Sequence, residues 1–181
     1  VIYILTGPVH SGKTTLLKNT IPLLLQKDFR IDGYLSESVW KNNECQGYKL
    51  VDLKEHQAHP FITKKGKEGW QKAGPYYFVP ESLSKAKEII RRAISSELAV
   101  IDEVGPLELA GRGVWPALAK TVFSAQPDFF LVIRDSVLEQ FLSILKKDVV
   151  LVYTVVEKIT PPRLAASLRE KIEKRRQTRP L

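Results

Sequence analysis

The stretch Gly7-Pro8-Val9-His10-Ser11-Gly12-Lys13-Thr14 restricts the folds open to this chain more than any other feature. It fits G-x-x-x-x-G-K-[ST], the Walker A phosphate loop. The glycines permit backbone angles that a Cβ penalises, and they let the main chain come close to an anion. The N–H groups from Gly7 to Thr15 can then converge on a β-phosphate at the positive end of the helix that follows. Lys13 can reach the β- and γ-phosphates, and the Thr14 hydroxyl can ligate Mg²⁺. The flanks suit the motif. Val1 to Leu5 is a short apolar run, as in a buried parallel strand. Leu17, Ile21, Leu24 and Leu25 recur at helical spacing. A chance glycine-rich turn would not need both flanks.

Beyond the loop, the pattern alternates. Helix is expected over about 13–26, kinked at Pro22. Strand is expected over Ile31 to Ser36. From Glu37 to Pro80 the pattern changes to short alternating runs (47–53, 58–63, 76–79) punctuated by Asn42-Asn43, Gly66, Gly69 and Gly74-Pro75. This predicts an antiparallel β insertion, a hairpin or small subsheet beside the nucleotide-binding part. Helix 81–96, strand 98–101, a loop from Val104 to Gly113, helix 114–125 and strand 129–133 follow. Ser136-x-x-Glu139 fits a capping box before another helix. The last strand falls at 149–156, and Thr160-Pro161 opens a basic terminal helix over about 161–177. Strands alternating with helices imply an α/β fold with a mainly parallel sheet, here a single phosphate-loop domain over 1–181. Sites in such sheets lie at the carboxyl ends of strands.

Composition excludes several classes. Apolar residues make up 44% and charged residues 27%, ordinary for a soluble globular chain. No apolar run suits a membrane span, and no secretory signal is evident. Cys45 is the only cysteine, so no intrachain disulfide forms and no cysteine-based zinc site is expected. A cytoplasmic monomer is the expectation. The absence of Met is read as a processed or trimmed start. The net charge is +8, and residues 163–181 alone hold seven basic and two acidic side chains, a net +5. Such a tail can meet nucleic acid or an acidic partner, or be a solvated terminal helix that frays.

The candidates for chemistry cluster at strand ends. Asp102 follows four apolar residues, the Walker B pattern, and can hold Mg²⁺ directly or through water. Glu103 can activate or orient the attacking water of a triphosphatase. Positive charge near the γ-phosphate can come from Arg134, at a strand end, or from Arg112, in the glycine-rich loop. Glu37 is a further water-orienting candidate, although a surface carboxylate is the favoured reading of the sequence there. His10, His56 and His59 show no metal-ligand spacing. Trp40, Tyr48, Trp70, Tyr76 and Tyr77 can stack on a base or pack in a core. No Asn-Lys-x-Asp run of the kind that reads guanine is present, so either ATP or GTP can be substrate.

Four strings, GPVHSGKTT, DGYLSESV, QGYKLVDL and VIDEVGPLEL, resemble the THEP family of nucleoside triphosphatases, small phosphate-loop proteins. The resemblance runs from about residue 1 to residue 156 and leaves out the basic tail. Its most specific part is Asp102 to Leu109. It implies a RecA-like sheet and slow Mg²⁺-dependent hydrolysis of ATP, GTP and other nucleoside triphosphates, with Lys13, Thr14, Asp102 and Glu103 matching the family's motifs. Cys45 and Pro106 depart from it, standing where members often carry Arg and Lys. The first part is also similar to the molybdopterin guanine dinucleotide adapter family, which binds GTP. Two other classes thus stay open: a nucleotide-gated adapter that uses the 104–113 loop and the β insertion as switch surfaces, and a small-molecule kinase, which would need a place for an acceptor hydroxyl.

Overall fold

A computed structural model describes the chain except residues 26–28, 125–126, 146–149, 155–158 and 179–181. The phosphate loop follows β1 (Ile2–Gly7), one strand in from an edge of the sheet and buried along its whole length. This strand pairs in parallel with β8 (Asp128–Arg134) on one side and β9 (Val150–Thr154) on the other. Next to β8 lies β7 (Leu98–Val104), and next to β7 lies β2 (Ile31–Lys41), both again parallel. The antiparallel strands β3 (Glu44–Asp52), β4 (Ala58–Thr63), β6 (Tyr76–Phe78) and β5 (Lys72–Ala73) continue the same sheet beyond β2, giving the order β5-β6-β4-β3-β2-β7-β8-β1-β9. The insertion is therefore an extension of the main sheet, not a subsheet beside it. Its hinge is β2, which runs five residues past the expected strand because Asn42 and Asn43, both at positive φ, close a tight turn into β3.

Side-chain alternation sends residues of each strand to opposite faces. Ile2 and Ile4 join a core under α2 (Pro80–Arg92), α4 (Trp115–Ser124) and α5 (Leu138–Ile144), with Leu83, Ile89, Leu118 and Phe141. Tyr3 and Leu5 join the opposite core, under α1 (Lys13–Leu25) and α6 (Pro161–Thr178), with Leu17, Leu24, Leu164 and Leu168. The result is a mixed, mostly parallel sheet flanked by helices on both faces. A short α3 (Pro106–Leu109) lies within the expected 104–113 loop. At Ser136 no capping box forms: α5 begins at Leu138 behind a 3₁₀ turn, and the Asp135 carboxylate accepts the Ser136 N–H instead, at 2.8 Å. The ends expected at Gln26, Ala125 and Val149 or Val156 lie outside the described residues.

The basic tail is neither a free arm nor a wholly solvated helix. Ile172 of α6 is buried beside Phe29, whose ring lies under the Arg176 guanidinium. Arg169 donates to the Leu23 carbonyl at 2.8 Å, Arg175 pairs with Asp128 at 2.6 Å, and Arg176 pairs with Glu97. Arg179 lies outside the described residues. A part-buried ion network ties α2 to β2 and β3: Arg92 donates to both oxygens of Asp32, to Asp52 and to the exposed Glu55, at 2.7–3.0 Å.

Candidate active site

The phosphate loop leaves β1 at Gly7 and enters α1 at Lys13. Gly12 has φ of 87° with open space where a Cβ would stand, so backbone angle, not crowding, calls for glycine there. His10 takes a positive φ of 60°, and its ring meets that of Trp40, from the end of β2, edge to face at 5.1 Å. The Lys13 side chain is buried, and its ammonium donates to the carbonyls of Gly7 and Pro8 at 2.8 and 2.5 Å. Burial lowers its pKa from the ordinary lysine value, against the opposing pull of Glu103 and Asp102.

Those two carboxylates come from β7, two strands away. The strand does not end at Ile101 but continues to Val104, with a register shift against β8 between Asp102 and Val104. Glu103 is the extra residue of this bulge, so the regular alternation is broken next to the site. Asp102 is buried: its Oδ2 accepts the Ser36 N–H of β2 at 3.1 Å, while Oδ1 has no hydrogen-bond partner among the described residues. Burial, then the charge of Glu103, push its pKa up to about 7, against stabilisation from the Ser36 amide, the Thr14 hydroxyl and Lys13.

Glu103 is paired with Arg134, whose Nε donates to Oε1. The β7–β8 pairing sets this contact: Ile133 lies opposite Val104, and Arg134 follows it at the end of β8. Burial opposes the guanidinium charge, but the Glu103 carboxylate outweighs it and raises the Arg134 pKa above its ordinary value. Arg112 is exposed and lines neither of the two clefts described below, so the structure brings Arg134, not Arg112, to the carboxylates. Glu37 is paired with Lys18 of α1 at 2.8 Å. Glu108 is buried and clips the loop after β7: its oxygens accept the N–H groups of Gly105 at 3.0 Å and Val114 at 3.4 Å. Burial pushes its pKa up to about 7 despite those amides.

Two clefts meet at Glu103. The smaller, about 210 Å³, runs along the loop from Val9 to Thr15 and under Trp40. The larger, about 410 Å³, opens between the insertion strands and the 105–114 loop. Of the aromatic residues singled out in the sequence, Trp40, Tyr48 and Tyr76 line these walls, whereas Ser36 had no sequence signal of its own because it acts through its place in β2.

A phosphate loop at a parallel strand end, with a buried aspartate and a glutamate–arginine pair on the neighbouring strands, defines the site of a P-loop NTPase. Family comparison is consistent with this geometry. The sequence profile of a family described as NTPase matches residues 2–173, which takes in most of α6 and extends the resemblance beyond residue 156. The chain belongs to that NTPase family. Among its relatives are nucleoside-triphosphatase THEP1 of Thermofilum pendens, 29% identical over 92% of this chain and 94% of that one, and nucleoside-triphosphatase THEP1 of Sulfolobus acidocaldarius, 31% identical over 74% and 76%. The crystal structure of THEP1 from the hyperthermophile Aquifex aeolicus shares the fold, with a TM-score of 0.68 at 20% identity over 85% of this chain and 89% of that one. No helix among the described residues is long and apolar enough to cross a membrane.

Proposed function

We propose that this enzyme hydrolyses ATP, GTP and other nucleoside triphosphates to the diphosphate and phosphate, with Mg²⁺ as cofactor. The observation that carries the reading is the convergence of Lys13, Thr14, Asp102, Glu103 and Arg134 at one end of the phosphate loop. The donor set suits Mg²⁺. Asp102 offers a buried carboxylate oxygen with no hydrogen-bond partner among the described residues, and the Thr14 hydroxyl stabilises the charge of the same carboxylate. Mg²⁺ favours such hard oxygens, one or two from protein and the rest from phosphate and water.

Each side chain then has one task. The loop amides hold the β-phosphate, and the Lys13 ammonium moves to the β- and γ-oxygens. Thr14 and Asp102 would hold Mg²⁺, which would supply positive charge to the phosphate oxygens. Glu103 orients the attacking water and accepts its proton. Arg134 fixes the Glu103 carboxylate through Oε1 and places positive charge where negative charge builds. Tolerance of different bases is supported by the lack of an Asn-Lys-x-Asp run. Lys13→Ala should lower phosphate release about a hundredfold, roughly 3 kcal/mol of transition-state stabilisation. Unchanged phosphate release by this variant would defeat the proposal.

A further inference from the structure

Water attacking a γ-phosphate needs room for one small molecule. The larger cleft holds far more. Its volume of about 410 Å³ falls in the range of small-molecule sites, about 300–1,000 Å³. It begins where the phosphate cleft stops, and Glu103 and His10 line both. From there it extends away from α1, between the insertion strands and the loop clipped by Glu108. It thus adjoins the end of the phosphate site where the γ-phosphate is transferred.

Its walls specify a chemistry. Phe61, Phe78, Leu107 and Val114 make them largely apolar, and Tyr34 and Tyr48 add aromatic faces. Charge is balanced within the protein: Arg134 is taken by Glu103, and the Glu108 oxygens by two backbone amides. That leaves little to attract a phosphorylated or carboxylated molecule. One polar group is uncompensated. Tyr34 is fully buried, and its hydroxyl has no hydrogen-bond partner among the described residues. That hydroxyl is sealed from the cleft, so the ligand is selected by the apolar walls and not by this group.

We propose that this cavity is an acceptor site and that the enzyme also transfers the γ-phosphoryl group to a small, uncharged, ring-bearing alcohol held there. The proposal rests on the nucleotide reading above. The alcohol O–H gives its proton to the Glu103 carboxylate as its oxygen bonds to the γ-phosphorus. The bond from that phosphorus to the β–γ bridging oxygen breaks, and its electron pair leaves with the nucleoside diphosphate. The products are a phosphate monoester and the diphosphate, and Glu103 then loses its proton to solvent. With water in place of the alcohol, the same geometry gives hydrolysis.

The test uses the full chain with ATP, Mg²⁺ and three probes: benzyl alcohol, 2-phenylethanol and cyclohexylmethanol. Saturation-transfer NMR reads probe binding with and without ADP, and ³¹P NMR with mass spectrometry reads the phosphate monoester. Phosphate release without probe is followed in parallel. The expected result is binding that persists beside ADP, and a new monoester signal from at least one probe. Ala73→Trp projects an indole into the wall farthest from the phosphate loop, and should cut monoester formation at least about tenfold by overfilling the cavity. One-for-one displacement of probe by ADP would give the cavity to the nucleotide base and overturn the proposal. So would probe binding without monoester, or no binding at all. If phosphate release continues in either of those cases, the acceptor site falls and the triphosphatase reading stands; loss of phosphate release from the unmodified protein would instead strike the nucleotide reading itself.

Discussion

Glu103→Gln separates chemistry from binding most cleanly. The amide keeps the size of the side chain, and its oxygen can still accept the Arg134 Nε–H that now holds Oε1. What it loses is a negative charge and the ability to take a proton from water. Lys13, Thr14 and Asp102 are untouched, so the groups assigned to the phosphates and Mg²⁺ remain. Removing a negative charge beside an anionic substrate does not weaken its attraction, and triphosphate affinity should stay within a few-fold of wild type or tighten. The chemical step should suffer the loss of a positioned base, a factor of about 10²–10⁴ in kcat, or roughly 3–5 kcal/mol on the barrier. Glu103 is three-quarters buried and held by a half-buried arginine, so the penalty should not collapse toward the small effects of a solvated surface carboxylate. Nucleotide affinity by titration and single-turnover hydrolysis, on one preparation, give the two numbers independently. A kcat close to wild type would refute the reasoning and remove Glu103 from the mechanism. Lost affinity with intact chemistry would make it a metal-site residue instead.

Two further variants probe the frame around the site. Arg92→Ala leaves Asp52, fully buried, and Asp32, nearly so, without their cation, and should lower the unfolding free energy by about 3–5 kcal/mol in urea titrations. Burial pushes Asp52 upward, but the Arg92 hydrogen bond and the Glu55 and Lys54 amides outweigh it and hold its pKa below the ordinary aspartate value. That stabilisation is present above the unfolded pKa of about 4 and is lost as pH falls through the folded one, so the gap between wild type and variant should narrow in acid; a gap constant down to about pH 2 would contradict the assignment. Glu108 shifts the other way, from about 4.3 unfolded to about 7 folded, so its contribution is most favourable below about pH 4 and is lost as pH rises through 7. Glu108→Gln lacks this contribution and should gain about 3 kcal/mol relative to wild type between about pH 4 and pH 8; parallel stability curves for the two proteins would exclude it.

What could be read from the sequence divides along the sheet, and the division follows contact range. The phosphate loop is legible because its chemistry needs consecutive backbone amides, which sequence adjacency supplies. Asp102 and Glu103 are legible because a buried strand ends in two acids. What those acids do to each other is not, because it depends on a bulge against β8 and on an amide from Ser36, 66 residues away in the chain. The choice between Arg112 and Arg134 was open for the same reason: only the pairing of β7 with β8 places one of them on Glu103. The tail is a similar case. Its charge run reads as a solvated helix or an arm for an acidic partner, and nothing local shows that Arg169, Arg175 and Arg176 meet Leu23, Asp128 and Glu97, none of them near in sequence. The larger cleft is the extreme case. Its apolar walls draw on β2, β4, β5, β6 and the loop after β7, and residues such as Phe61, Phe78 and Leu107 read from the sequence as ordinary core. The residues that cradle the phosphates are thus written in one local string, while those that would act on the transferred group come together only through the pairing of β7 with β8. Whatever accepts the phosphate is selected by a surface that exists only once β2 has carried the insertion strands onto the edge of the sheet.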